Sequence, residues 1–141
     1  MTITLDDAQG VLAAQPFASL VGGRIAAFET GSATLEIPIT PALLQQFGVV
    51  HGGVLAYSAD NALTFAAGSV LGPKVLTSGF TITYLRPATG SLLRAEASVV
   101  SATRRQAVCR CEIFSIADGR APVLCAAAQG AASVVDDIPG S

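Results

Sequence analysis

The run from Gly52 to Leu71 (GGVLAYSADNALTFAAGSVL) constrains this chain more than any other segment. It is rich in Ala and Leu, carries no Pro, and is closed by Gly72-Pro73. As one helix it would be about 30 Å long at 1.5 Å per residue. Apolar residues occur on nearly every side of it, so it should be buried rather than lie on a surface. Gly72-Pro73 is a stop signal, because Pro cannot continue a helix and Gly accepts the backbone reversal.

A membrane is one way to bury such a helix, but Asp60 sits near the middle of the run with Ser58, Asn61 and Thr64 around it. A carboxylate at the centre of a spanning helix costs about 2.5–3.5 kcal/mol even on lenient insertion scales. Basic flanks are also missing, and Met1 to Asp7 has neither the charge nor the apolar core of a signal peptide. The expectation is a cytoplasmic protein. Its 141 residues suit one domain, 1–141. Charged residues are only 13% of the sequence against 51% hydrophobic, when about 25% charged is usual. That shortage of charge predicts apolar surface hidden in an oligomer.

The flanking segments read as mixed structure. A short helix is expected over about 5–14, ended by Gln15-Pro16. Val21 to Pro38 reads as two strands turning at Glu29-Thr30-Gly31-Ser32, and Thr40 to Val50 as a loop or short helix. After the long helix come alternating segments at Val75–Leu85, Leu92–Ala102, Gln106–Ala117 and Pro122–Val134, the last two joined by Asp118-Gly119. The tail from about Asp136 is expected to be loose. A sheet that follows one long apolar helix can wrap it, which is an α+β arrangement.

Net charge is −2, with no basic run and no Trp, so no nucleic-acid groove is indicated. Cys109, Cys111 and Cys125 are odd in number, which argues against a disulfide framework. With His51 the only histidine and no CxxC pair, they read as small buried residues rather than metal ligands.

Chemistry concentrates between Gln45 and Thr64. His51-Gly52-Gly53 stands where the long helix begins. The first N–H groups of a helix lack internal partners and lie at the positive end of its dipole. Glycine lets another molecule approach that backbone, so the site can polarise a carbonyl oxygen. Asp60, two turns on in apolar surroundings, is a candidate nucleophile or general base. Thr64 shares its face and could orient it. Gly52 and Asp60 are about 12 Å apart along one helix, too far to act on one carbonyl at about 3 Å from each. Two such helices across a two-fold axis could supply one group each, placing the site at a dimer interface.

Gly48-x-x-His51-Gly52-Gly53 followed by Asp60, together with Thr81-Ile82-Thr83-Tyr84-Leu85-Arg86-Pro87-Ala88, resembles the hotdog thioesterases of the PaaI and 4-hydroxybenzoyl-CoA types. The similarity runs from about Phe17 to Val134. It implies a mostly antiparallel curved sheet around one central helix, and hydrolysis of an acyl-CoA thioester without a cofactor, coenzyme A being part of the substrate. By this resemblance Asp60 is the nucleophile or base, and the Gly52 N–H polarises the carbonyl. His51 supports the geometry of the helix start and contacts the substrate region, and Gly53 beside it is a substrate-binding position. Gln45 matches a position held by Asn or Gln in different branches, which helps hold the thioester or the attacking water, and Thr64 assists the acid. Thr77 or Ser78 supplies a hydroxyl, the register being open by one residue. Phosphates of coenzyme A call for basic residues at the entrance, with Arg86, Arg104 and Arg105 as candidates. The resemblance also implies a homotetramer built from dimers. Two alternatives stand beside hydrolysis, an acyl-thioester hydratase or dehydratase and a non-catalytic acyl-CoA-binding module. Fold alone does not separate them.

Overall fold

The computed structural model describes residues 3–137. The last four residues of the expected loose tail lie outside them. The chain opens with helix α1 (Leu5–Ala13). Thr4 caps it, its hydroxyl accepting from the Asp7 N–H while the Asp7 carboxylate accepts from the Thr4 N–H, a reciprocal box that satisfies two otherwise unpaired donors. These bonds hold the Asp7 carboxyl below its ordinary range. A second helix, α2 (Pro16–Val21), comes directly after it. This corrects the sequence reading, which took Pro16 as a terminator and Val21 as the start of a strand. Proline at the first helical position gives up an N–H that would have no partner anyway, so it opens α2 as readily as it closes α1.

The strands are β1 (Arg24–Glu29), β2 (Ser32–Pro38), β3 (Val75–Tyr84), β4 (Leu92–Ala102), β5 (Gln106–Ile116) and β6 (Val123–Val134). They make one sheet in the order β1-β2-β4-β5-β6-β3, every neighbouring pair antiparallel. The long helix α3 (Gly52–Leu71) has the limits expected from its glycines and packs against β2, β3, β4, β5 and β6. The expected architecture, a sheet around one helix, is the one observed.

The sheet closes on α3 because both surfaces are made of small side chains. Ala59, Ala62, Ala66 and Ala67 of the helix are buried, as are Ala95 and Ala97 of β4, Cys109 and Cys111 of β5, and Ala126 and Ala128 of β6. Small residues on both sides let the helix backbone sit close to the sheet at interior packing density. Strand alternation supplies the inward set: on β5, Ala107, Cys109, Cys111, Ile113 and Ser115 point in while Arg110 and Glu112 point out. A bulge where Ile113 and Phe114 face β6 shifts the phase there, which is why consecutive Cys125 and Ala126 are both buried.

One expectation about α3 needs correcting. The helix is not buried all round: Tyr57, Asp60, Asn61 and Thr64 remain partly exposed. The sheet covers one side, and this polar stripe lies on the side it leaves open.

Glu36 was not singled out from the sequence. It is buried on β2, with its carboxylate accepting from Arg24 on β1 at 2.6 Å and from Arg94 on β4 at 3.2 Å. A buried charge needs such partners.

The three cysteines are free and buried. Burial pushes the Cys109 thiol from 9.0 up to about 11. Burial pushes Cys111 up to about 12, with the charges of Glu112 and Glu96 and neighbouring Cys109 adding to it. Both therefore stay neutral thiols at ordinary pH. The stability they lend is complete below pH 9 and is lost as pH rises through about 11–12. Titration of the native protein with Ellman's reagent at pH 8 should find less than about one reactive thiol per chain, and all three after denaturation. Rapid labelling of the native chain would show that the sheet opens there.

Candidate active site

The loop before α3 is tied back on itself. Leu44 bridges Val50, the Gln45 N–H donates to the Val49 carbonyl at 2.9 Å, and the His51 N–H donates to the Leu43 carbonyl at 2.8 Å. Inside it, the Gln45 side-chain carbonyl accepts from the Phe47 N–H. Gln45 therefore shapes the loop that delivers His51, and its side-chain NH2 is the part left over for other work.

His51 caps α3, its Nδ1 accepting from the Gly53 N–H at 2.8 Å. The Val54 N–H donates to the His51 carbonyl at 2.9 Å. Gly53 is thus not a free donor. Among the described residues the Gly52 N–H has no acceptor, so of the first-turn donors it is the one still available. A side chain at Gly52 would meet the Tyr84 ring at 3.3 Å, and the Tyr84 hydroxyl donates to the Gly52 carbonyl at 3.0 Å. Tyr84 lay within the motif read from the sequence, but no role was read for it. A shallow cavity of about 330 Å³ opens here, lined by Gly52, Leu55, Tyr84 and Arg86 among others.

Asp60 is held by β3. The Thr77 hydroxyl donates to Asp60 Oδ1 at 2.5 Å, and Thr64 Oγ1 lies 2.7 Å from Thr77 Oγ1 and 2.8 Å from the Asp60 carbonyl. The Thr64 hydroxyl donates to the Asp60 carbonyl and the Thr77 hydroxyl to the Asp60 carboxylate, so both threonines are tied to the same residue. Among the described residues Asp60 Oδ2 accepts no hydrogen bond. The carboxylate is thereby fixed in direction with one oxygen open. Of the two hydroxyls the sequence offered, Thr77 meets Asp60, whereas Ser78 is exposed and bonds to Ser133 at 2.8 Å on β6. The bulge between Thr77 and Gly79 explains why counting along the strand could not decide it.

Beside Asp60, the Asn61 side-chain amide donates to the Tyr57 hydroxyl at 2.9 Å and to the Gln15 side-chain carbonyl at 3.3 Å. The Phe17 ring stands edge-on to Tyr57. Burial raises the Tyr57 pKa above its ordinary value; the Asn61 bond opposes this and the Asp60 charge adds to it. The four-residue spacing of Tyr57 and Asn61 was the available signal for this pair.

The three arginines are not brought together. Arg86 comes just after β3 and borders the Gly52 cavity, with its guanidinium donating to the Leu124 carbonyl at 3.1 Å. Arg104 and Arg105 sit in the β4–β5 turn at the other end of the sheet, where Arg105 pairs with Asp136 at 3.2 Å. The length of β3 separates the two ends, about 30 Å at 3.3 Å per residue. Arg94, a further basic residue, is committed to Glu36.

The model of the thioesterase superfamily (4HBT) matches residues 47–121, more than half the sequence and the whole stretch from the loop before His51 to the end of β5. The chain belongs to the thioesterase superfamily. It has the hotdog fold, and its class of chemistry is thioester hydrolysis. A thioesterase family protein of Silicibacter pomeroyi is 28% identical with a TM-score of 0.86, over 91% of this chain and 95% of that one. The PaaI protein of the phenylacetic acid degradation operon of E. coli is 24% identical with a TM-score of 0.81, over 92% and 91%. A thioesterase of Haemophilus influenzae is 24% identical with a TM-score of 0.82, over 96% and 92%. No functionally curated protein matches the sequence. Among the described residues of this family member no helix is long and apolar enough to cross a membrane.

Proposed function

We propose that this thioesterase hydrolyses acyl-CoA thioesters, with Asp60 as nucleophile or general base and the Gly52 N–H as the donor to the carbonyl oxygen. The observation that carries this reading is the Asp60 carboxylate, fixed by Thr77 through Oδ1, with Oδ2 open on the uncovered side of α3. As base, Oδ2 takes a proton from a water whose oxygen bonds to the thioester carbon; as nucleophile, Oδ2 bonds to that carbon itself, and a water later cleaves the resulting anhydride to release the acid and restore the carboxylate. Negative charge gathers on the carbonyl oxygen, where the Gly52 N–H meets it. The carbon–sulfur bond then breaks and coenzyme A leaves as a thiolate, which takes up the proton held by the Asp60 carboxyl in the base route or one from solvent water in the nucleophile route.

His51 acts through structure in this scheme, since its Nδ1 already accepts from Gly53. That arrangement favours hydrolysis over a hydratase using histidine as its base. Arg86, on the cavity beside Gly52, is the best placed of the three arginines for a phosphate of coenzyme A.

The working unit in this reading is at least a dimer, each site combining Gly52 of one protomer with Asp60 of the partner subunit. The uncovered stripe of α3 supports this, as does β3. Among the described residues that strand is an edge paired only with β6, and it carries exposed Leu76 and Tyr84. A long unpaired edge is a template for another strand. Three buried free cysteines suit a reducing, cytoplasmic setting.

The test is thiol release from a panel of acetyl-, hexanoyl-, decanoyl-, benzoyl- and phenylacetyl-CoA, with light scattering on the same preparation. Turnover of at least one thioester well above the rate in buffer, by a dimer or larger assembly, is expected. No release from any of them would overturn the acyl-CoA assignment.

A further inference from the structure

A second cavity, of about 410 Å³, runs along α3 on its uncovered side. Its floor is Asn61, Thr64, Phe65, Gly68 and Gly72, spaced as one face of a helix. Ala8 and Val11 of α1, Phe28 of β1 and Val75 of β3 form its walls. α1 rests chiefly on β1 and α2. Gln9 fastens it there, its side-chain carbonyl accepting from the Ile25 N–H at 2.5 Å. A gap is left between α1 and α3.

Two features give the gap a direction. One end is polar and belongs to the Asp60 network, because Thr64 both lines the cavity and joins Thr77 and Asp60. From Asn61 and Thr64 toward Gly72 the helix floor becomes apolar or bare. Gly68 presents no side chain, and one built there would meet only Val75, at 3.7 Å. Asp7 is the charged residue on the lining, and its carboxylate is turned to the Thr4 cap at the exposed surface.

We infer that this cavity takes the hydrocarbon tail of the substrate, and that the preferred substrate is a straight-chain acyl thioester of medium length. The inference rests on the thioesterase reading for the position of the carbonyl, which lies at the Asp60 end. From Asn61 to Gly72 the floor is about 16 Å long. An extended chain advances about 1.2 Å per bond and its terminal methyl takes up about 2 Å more, so the cavity is filled at about twelve carbons and well occupied from about eight. Each methylene buried there should raise kcat/KM roughly fourfold until the cavity is full. Gly68, partway along the floor, leaves the cavity open beyond it, where a larger side chain would shorten it.

The experiment compares kcat/KM across even-numbered straight-chain acyl-CoAs from acetyl to palmitoyl, with benzoyl- and phenylacetyl-CoA alongside. The proteins are wild type, Gly68→Val, and Val11→Trp, which narrows the same cavity from α1 should the helix variant fail to fold. Binding of a decyl-CoA thioether, which cannot be hydrolysed, is measured by calorimetry on all three. For wild type, efficiency should climb to a maximum near eight to twelve carbons. In either variant the decanoyl-to-acetyl ratio should fall by at least about 20-fold, the loss of two to three methylenes' worth of burial, and thioether affinity should fall with it. A flat length profile, a preference for the aryl thioesters, or a decanoyl-to-acetyl ratio untouched by both substitutions would overturn the inference while leaving hydrolysis standing. Conversely, thioether binding that depends on Gly68 or Val11 in a protein that cleaves nothing would sustain the cavity's role and sink the catalytic one. No thioether binding and no cleavage would overturn both.

Discussion

Replacing Asp60 by Asn should lower kcat for acyl-CoA hydrolysis by about 10²–10⁴-fold with little effect on the fold. That is about 3–5 kcal/mol of transition-state stabilisation. The substitution is nearly isosteric, and the hydroxyl of Thr77 can still donate to the amide oxygen that replaces Oδ1. What disappears is the charged, unshared oxygen that supplies the electron pair. KM should change far less than kcat, because the carboxylate is not the group that holds the acyl tail or the nucleotide. Steady-state kinetics with free-thiol detection would measure both constants, and a thermal melt would check the fold. If Asp60→Asn retained wild-type kcat, the carboxylate would be a structural anchor for Thr77 and nothing more.

The dependence on Thr77 shows where the sequence was readable and where it was not. The limits of α3 were legible because Gly-Gly at one end and Gly-Pro at the other are backbone signals that act locally. The strands from Leu92 onward were legible for a similar reason, since a buried face imposes alternation on each strand by itself. The partner of Asp60 was not, because it depends on how β3 lies across α3. The bulge at Ser78 changes which hydroxyl faces inward without leaving any mark in residue type. Helix α2 was missed because proline carries two opposite meanings, closing the helix before it and opening the helix after it. Burial of Glu36 was missed because its two arginines come from strands 12 and 58 residues away. The availability of the Gly52 N–H was half legible. The glycine and the helix start could be read, but that His51 consumes the Gly53 donor and Tyr84 closes over Gly52 required coordinates.

A second large effect is expected at Gly52, and it carries the test of the two-chain site. In Gly52→Val the side chain would enter the space held by the Tyr84 ring, which a single added carbon already approaches to 3.3 Å. Turning the first peptide of α3 away from the carbonyl oxygen removes the donor, a loss of about 10²–10³-fold in kcat. Asp60→Asn and Gly52→Val homodimers should therefore both be nearly inactive. In a mixed dimer, one of the two sites joins the intact Gly52 of the Asp60→Asn chain to the intact Asp60 of the Gly52→Val chain. Random reassembly of equal amounts gives half mixed dimers, each with one working site of two, so activity should return to about a quarter of wild type. If both groups came from one chain, every site in the mixture would lack one of them and activity would stay at the level of the separate variants. The exchange can be followed by unfolding and refolding the two chains together, with separately refolded chains as the reference. The spacing of the motif makes the same demand, since eight residues of straight helix hold the donor and the acid about 12 Å apart and a carbonyl group spans little more than 1 Å.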